Sequence, residues 1–220
     1  MLDKVKQHLR VEHFPHIWCP GCGHGIVTQA FLRAITALEL DADKVTVVSG
    51  IGCSSRSVGY LNFDTLHTAH GRALPFATGI KFARPELTVA ILAGDGDISA
   101  IGGNHLIHAA RRNIDLTVIV YNNFNYGMTS GQYSPLTPKG SRATTSPYGS
   151  LETPFDLCEL VKAAGATYVA RSTTYHAAQL PRLIAAAIRN PGFSLVEVLT
   201  GCPTYFGRMN EKAAPKKMLE

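Results

Sequence analysis

Gly94-Asp95-Gly96-Asp97 and Asn122-Asn123-Phe124-Asn125-Tyr126-Gly127-Met128 set oxygen-bearing side chains beside glycines at two points of the chain. Glycine lets a backbone approach an anion closely. Asp95 and the asparagines offer hard oxygen ligands, which suit a magnesium ion that also holds substrate phosphates. Together they read as a metal-bridged diphosphate site. Sulfur supplies a second set. Cys19 and Cys22 form a Cys-x-x-Cys pair, with Cys53 and Cys202 far along the chain. The pair alone fits a structural zinc half-site, a redox dithiol or chance. Four thiolates suit zinc or a 4Fe–4S cluster equally well.

The intervening elements must bring these residues together. Leu87–Ala93 and Leu116–Tyr121 read as buried strands, each ending at an oxygen-rich loop. Twenty-five residues separate Gly96 from Asn122, the length of one helix-plus-strand unit. In a parallel sheet both loops would leave the same carboxyl edge, where α/β proteins bind ligands. Val45–Ser49 is another β-branched run, and it ends in Gly50-Ile51-Gly52-Cys53-Ser54. Ser194–Leu199 reads as the last strand and leads to Gly201-Cys202-Pro203. Cys53 and Cys202 would thus share the edge of the diphosphate loops. Cys19 and Cys22 precede a helix whose face is Val27, Ala30, Phe31, Ala34, Ile35 and Leu38. The dipole at its N-terminus is expected to favour thiolates.

Further helices are expected near Ala77–Ala83, over Gly102–Asn113, and along the faces marked by Leu157 to Ala164 and Leu180 to Ile188. Tyr168–Arg171 reads as a strand. Ser134–Ser150 is a long polar loop of the kind that is functional or mobile. Cys158 lies on an apolar helix face and reads as an inert core thiol. The alternation of strands and helices predicts an α/β fold with a mostly parallel sheet flanked by helices.

Composition limits the classes available. The 220 residues suit a single domain over 1–220, with an N-terminal arm at 1–18 that looks irregular and a C-terminal tail at 203–220. With 45% hydrophobic and 17% charged residues, the composition is enough for a large core and argues against disorder. No apolar run reaches the roughly 18 residues of a membrane span. Met1–Arg10 mixes charges without an apolar signal region, so a cytoplasmic location is expected. The net charge is +5, but no basic stripe carries interleaved aromatics. An anionic ligand or acidic partner fits better than nucleic acid. Five cysteines, an odd count in such a chain, argue against a disulfide framework.

The Gly-Asp-Gly and Asn-Asn pair at this spacing resembles the thiamine diphosphate signature of thiamine enzymes. Six ordered motifs extend the likeness: Trp18-Cys-Pro-Gly-Cys-Gly-His-Gly25, Gly50-Ile-Gly-Cys-Ser54, His67-Thr-Ala-His-Gly-Arg-Ala73, Gly94-Asp-Gly-Asp97, Asn122-Asn-Phe-Asn-Tyr-Gly-Met-Thr129 and Cys202-Pro-Thr-Tyr-Phe-Gly-Arg208. Over residues 12–210 the chain resembles the β subunit of 2-oxoacid:ferredoxin oxidoreductases, and its last motif is most similar to the 2-oxoglutarate branch.

The resemblance implies that Cys19, Cys22, Cys53 and Cys202 ligate one 4Fe–4S cluster. It implies that Asp95 and Asn123 hold magnesium through side chains, and Asn125 through its carbonyl. Ile51, Gly52, Cys53, Ser54, His70, Gly96, Asp97, Gly127 and Met128 would line thiamine diphosphate. His24 receives no role. The implied reaction is oxidative decarboxylation of a 2-oxo acid to an acyl-CoA, with electrons leaving through the cluster to ferredoxin. The leading reading is 2-oxoglutarate to succinyl-CoA, with pyruvate or a broad 2-oxo acid range as the alternative. From another class, a non-oxidative thiamine enzyme or a binding module with a structural zinc held by four cysteines remains in play. Glu39, Glu86, Glu152 and Glu159 fall on or beside helices and none suits the role of activating acid; the resemblance implies that this acid comes from an α subunit.

Two departures stand out. The family's Ser-Pro-Thr-Thr-Pro segment here reads Ser134-Pro-Leu-Thr-Pro138. Family β subunits also continue well past the last cysteine, whereas this sequence ends at Glu220, which would bear on substrate closure or ferredoxin docking.

Overall fold

The computed structural model describes residues 2–212 and 214–218. Its elements in chain order are α1 (Leu2–Lys6), α2 (His24–Ala37), β1 (Val45–Ser49), β2 (Asp64–His67), α3 (Ala73–Ala83), β3 (Thr88–Gly94), α4 (Gly103–Arg111), β4 (Thr117–Asn122), β5 (Asn125–Tyr126), β6 (Gln132–Tyr133), α5 (Leu157–Ala164), β7 (Tyr168–Thr173), α6 (Leu180–Arg189) and β8 (Ser194–Leu199). Six strands form one sheet in the order β2-β1-β3-β4-β8-β7. All its pairings are parallel. The expected sheet is therefore present, and β5 and β6 form a separate antiparallel hairpin.

A parallel sheet is buried on both faces, so its strands read as apolar runs. All six residues of β4 are buried. Its side chains alternate: Ile119 and Tyr121 enter the core that includes α2 and α6, while Val118 and Val120 enter the core under α3, α4 and α5. Asp156 caps α5 by accepting from Glu159 N at 3.1 Å, and Gly165 ends that helix at φ +116°.

Several details differ from the sequence reading. The irregular arm contains a helix, α1. Its Val5 is buried against the α2 core, and Leu9 bridges to Leu61. Helix α3 starts at Ala73, four residues before the expected stretch. Strand β2 was not expected, because Asp64-Thr65-Leu66-His67 sits at the sheet edge, half exposed, and lacks a continuous apolar run. In the tail, Pro203–Gly207 forms one wide helical turn; Ala213, Leu219 and Glu220 lie outside the described residues. Among the described residues, no helix is long and apolar enough to cross a membrane.

Candidate active site

The loops after β1, β2, β3 and β4 leave one edge of four adjacent strands. They enclose a cavity of about 250 Å³. Its wall holds Ile51, Gly52, Cys53 and Ser54 from the first loop, His70 from the second, Asp95, Gly96 and Asp97 from the third, and Asn123, Asn125, Gly127 and Met128 from the fourth. All the residues assigned by resemblance to magnesium and thiamine diphosphate therefore border one cavity.

Strand β3 runs almost directly into a wide helical turn, Asp97–Ile101. The first N–H groups of such a turn lack intrahelical partners and favour a phosphate. Gly96 permits this approach. A β-carbon there would overlap the ring of Tyr126, whose hydroxyl donates to the Gly96 carbonyl at 3.2 Å. Asp97 ties three loops together. Its Oδ1 accepts from Gly71 N at 2.8 Å and Ile51 N at 3.3 Å, and lies 2.6 Å from His70 Nδ1. That last contact is close in distance but misaligned for a hydrogen bond, leaving His70 Nδ1 without a partner.

Asp95, Asn123 and Asn125 are 2%, 5% and 3% exposed, deep enough that their polar atoms need partners. The Asn123 side-chain oxygen faces Asp95 Oδ1 at 3.1 Å and the Asn125 carbonyl oxygen at 2.8 Å. Three oxygens meet there with no hydrogen between them. A cation satisfies that arrangement; otherwise the amide must turn to present its NH₂. Burial pushes the Asp95 carboxyl up to about 7, against hydrogen bonds from Ser134 and the backbone that lower it. A metal charge would oppose that rise. Both side-chain polar atoms of Asn125 and Asp97 Oδ2 are buried without partners among the described residues. The donor set fits a hard cation bound with a polar ligand.

The four predicted cluster cysteines border a second cavity of about 70 Å³. Cys53, Asn123, Gly127 and Met128 belong to both cavity walls. Two backbone bonds help to bring the thiols together: Cys22 N to Cys19 O at 3.0 Å, and Gly23 N to Gly201 O at 3.3 Å. All five cysteines are free thiols. Among the described residues, no three His, Cys, Asp or Glu side chains gather as ligands of a single metal ion. The thiols surround a space instead of a point. Cys22 is pushed up to about 12 and Cys53 to about 11, by burial first and then by neighbouring thiols. The His24 backbone N–H at the start of α2 acts in the expected direction and lowers Cys22, but desolvation outweighs it at this thiol; a metal's positive charge would favour the thiolates.

Cys158 lies outside both cavity walls. Its Sγ donates to Glu197 Oε2 at 3.4 Å, and burial pushes the thiol up to about 12. It is a partly buried thiol with a polar neighbour, not a purely apolar one. Glu197, 2% exposed, was missed within an apolar strand run. Its Oε1 accepts from Asn122 Nδ2 at 2.8 Å and its Oε2 from Arg171 Nε at 2.6 Å, bracing the start of the asparagine loop. His24, which received no role, lines the larger cavity with Nδ1 free; burial lowers its pKa to about 4. Tyr121, Tyr126 and Thr129 also line that cavity, but no glutamate among the described residues does.

The family described as "Thiamine pyrophosphate enzyme, C-terminal TPP binding domain" matches residues 50–198. The 2-oxoglutarate synthase subunit KorB of Methanothermobacter thermautotrophicus is 56% identical over 97% of this chain and 74% of its own length. That of Archaeoglobus fulgidus is 58% identical over 93% of this chain and 76% of its own. A solved 2-oxoglutarate:ferredoxin oxidoreductase from Magnetococcus marinus, with 2-oxoglutarate, coenzyme A and succinyl-CoA bound, superposes with a TM-score of 0.89. It is 40% identical, and the match covers 92% of this chain and 69% of that one. The chain therefore belongs to the β subunits of the 2-oxoacid:ferredoxin oxidoreductases, in the 2-oxoglutarate synthase (KorB) branch.

Proposed function

We propose that this chain binds magnesium and thiamine diphosphate in the larger cavity and a 4Fe–4S cluster in the smaller one. With an α subunit, in the cytoplasm, it would catalyse CoA-dependent oxidative decarboxylation of 2-oxoglutarate to succinyl-CoA and carbon dioxide, passing electrons to ferredoxin. The observation that carries this reading is the wall shared by the two cavities at Cys53, Asn123, Gly127 and Met128. Electron transfer between two groups is favoured when one thin wall separates them.

When bound, thiamine diphosphate supplies the electron sink for decarboxylation and the cluster a one-electron path. The protein's own part is placement and exclusion of water. Asp95, Asn123 and the Asn125 carbonyl would hold magnesium. The N–H groups at Gly96 and Asp97 would take the diphosphate. Ile51, Gly52, Ser54, Gly127 and Met128 would line the cofactor, and Cys53 would lie on the wall shared with the cluster cavity. His70 would contact the cofactor from the cavity wall, beside Asp97. No glutamate among the described residues lines the cavity, and the likeness to the 2-oxoacid:ferredoxin oxidoreductases supports assigning the activating acid to the α subunit. Residues 1–18 would act as an arm and 203–220 as a tail on a single domain.

The test is the complex with its α subunit, purified without oxygen. Broad visible absorbance with about four irons per β chain is expected, with CoA-dependent reduction of a low-potential acceptor faster with 2-oxoglutarate than with pyruvate. Stoichiometric zinc without iron refutes the cluster; faster turnover of pyruvate refutes the substrate.

A further inference from the structure

The loop after β6 reaches back to both oxygen-bearing loops. Ser134 is 2% exposed, and its Oγ donates to Asp95 Oδ2 at 2.5 Å. Thr137 is equally buried, and its Oγ1 donates to the Phe124 carbonyl oxygen at 2.5 Å. The two are also tied to each other: Ser134 N donates to Thr137 Oγ1 at 2.8 Å, and Thr137 N to Ser134 O at 3.0 Å. Between them, Leu136 is buried in the core under α3, α4 and α5. The position where the family often carries a hydroxyl therefore anchors the turn here, and the two remaining hydroxyls make the polar contacts.

A carboxylate has several acceptor positions on two oxygens. Ser134 occupies Oδ2, so Oδ1 is the oxygen left facing Asn123. Phe124 stands between Asn123 and Asn125 at φ +63°, a left-handed conformation that an aromatic residue adopts only when its surroundings hold it. Thr137 holds its carbonyl, and Asn122 Oδ1 accepts from its N–H at 3.1 Å.

We propose that Ser134 and Thr137 are positioning residues for the metal site: Ser134 selects which Asp95 oxygen faces the cation, and Thr137 holds the turn that spaces Asn123 from Asn125. This rests on the magnesium–thiamine diphosphate reading above. Groups that orient metal ligands typically change affinity about 10–100-fold when removed. A merely structural contact would lower stability and leave the metal requirement where it was.

The experiment uses the assembled complex after chelator treatment. Thiamine diphosphate binding is followed by calorimetry at stepped magnesium concentrations, alongside thermal melting without magnesium. Ser134→Ala should need about tenfold more magnesium for half-saturation, with Ser134→Thr restoring most of the difference. Thr137→Val should shift the requirement in the same direction, and it carries the test if Ser134→Ala does not fold. Variants that bind cofactor at the wild-type magnesium concentration overturn the proposal, whatever their melting temperature. Wild-type protein that binds cofactor without magnesium overturns the underlying reading instead.

Discussion

Trp18 Nε1 donates to the carbonyl oxygen of Cys53 at 2.7 Å, so the residue beside Cys19 holds the loop of a third cysteine. Trp18 is buried, with its ring 5.3 Å from that of Tyr60 and 6.1 Å from that of His24. Trp18→Phe keeps much of this packing and removes the side-chain donor. The expected result is a folded protein with less iron and faster bleaching in air. Unchanged iron content and bleaching rate would show that this bond does not support the thiol site.

Arg171 and Glu197 form an ion pair at 2.6 Å, with Glu197 only 3% exposed at its side chain. Removing Arg171 takes the countercharge from a buried carboxylate that keeps only its bonds from Asn122 and Cys158. Breaking a fully buried pair costs about 3–5 kcal/mol. Arg171 is 40% exposed, so Arg171→Ala should lower stability by about 2–3 kcal/mol in urea unfolding. A loss below about 0.5 kcal/mol would place the pair among ordinary surface contacts. Arg171 also holds the Asp156 carboxyl below its usual range. A depressed folded pKa stabilises above the unfolded value of about 3.9, and this contribution fades as pH falls through the lower folded value. Arg171→Ala should therefore lessen the acid sensitivity of unfolding below about pH 4.

Asp97 joins the loops at Ile51 and Gly71 through its Oδ1. Asp97→Ala should release both loops and weaken thiamine diphosphate binding by about tenfold or more, as expected when a charged hydrogen-bond acceptor is lost. Asp97→Asn keeps an acceptor and should retain part of the affinity. Calorimetry on the complex would contradict this role if both variants bound like wild type.

Cys158 touches Glu197 and borders neither cavity. Cys158→Ser should keep full iron content, whereas Cys202→Ser should lose iron. Iron analysis of the two variants separates a bystander thiol from a ligand, and loss of iron from Cys158→Ser would overturn the choice of ligands.

Much of this architecture was legible along the chain. The twenty-five residues between Gly96 and Asn122 accommodate one helix and one strand, and β3 and β4 pair side by side in parallel. Apolar runs ending in glycine, asparagine or cysteine marked where the loops leave the sheet, because a strand buried on both faces must be apolar and a turn must not be. The six motifs were readable for the same reason: each is a local segment whose types alone limit its chemistry.

What only the tertiary structure decided are pairings between segments distant in sequence. Ser134 and Asp95 lie 39 residues apart, and nothing local marks a serine in a polar loop as the partner of a buried carboxylate. Glu197 was one charge in an apolar run until β7 supplied Arg171 and β4 supplied Asn122 on either side. The short edge strand β2 pairs with β1 despite its polar pattern. Residue types and spacing determined which groups were present and at which edge they emerge. Strand order determined which of them touch, because lateral contacts depend on the packing of the whole sheet and leave no periodic trace in any one stretch.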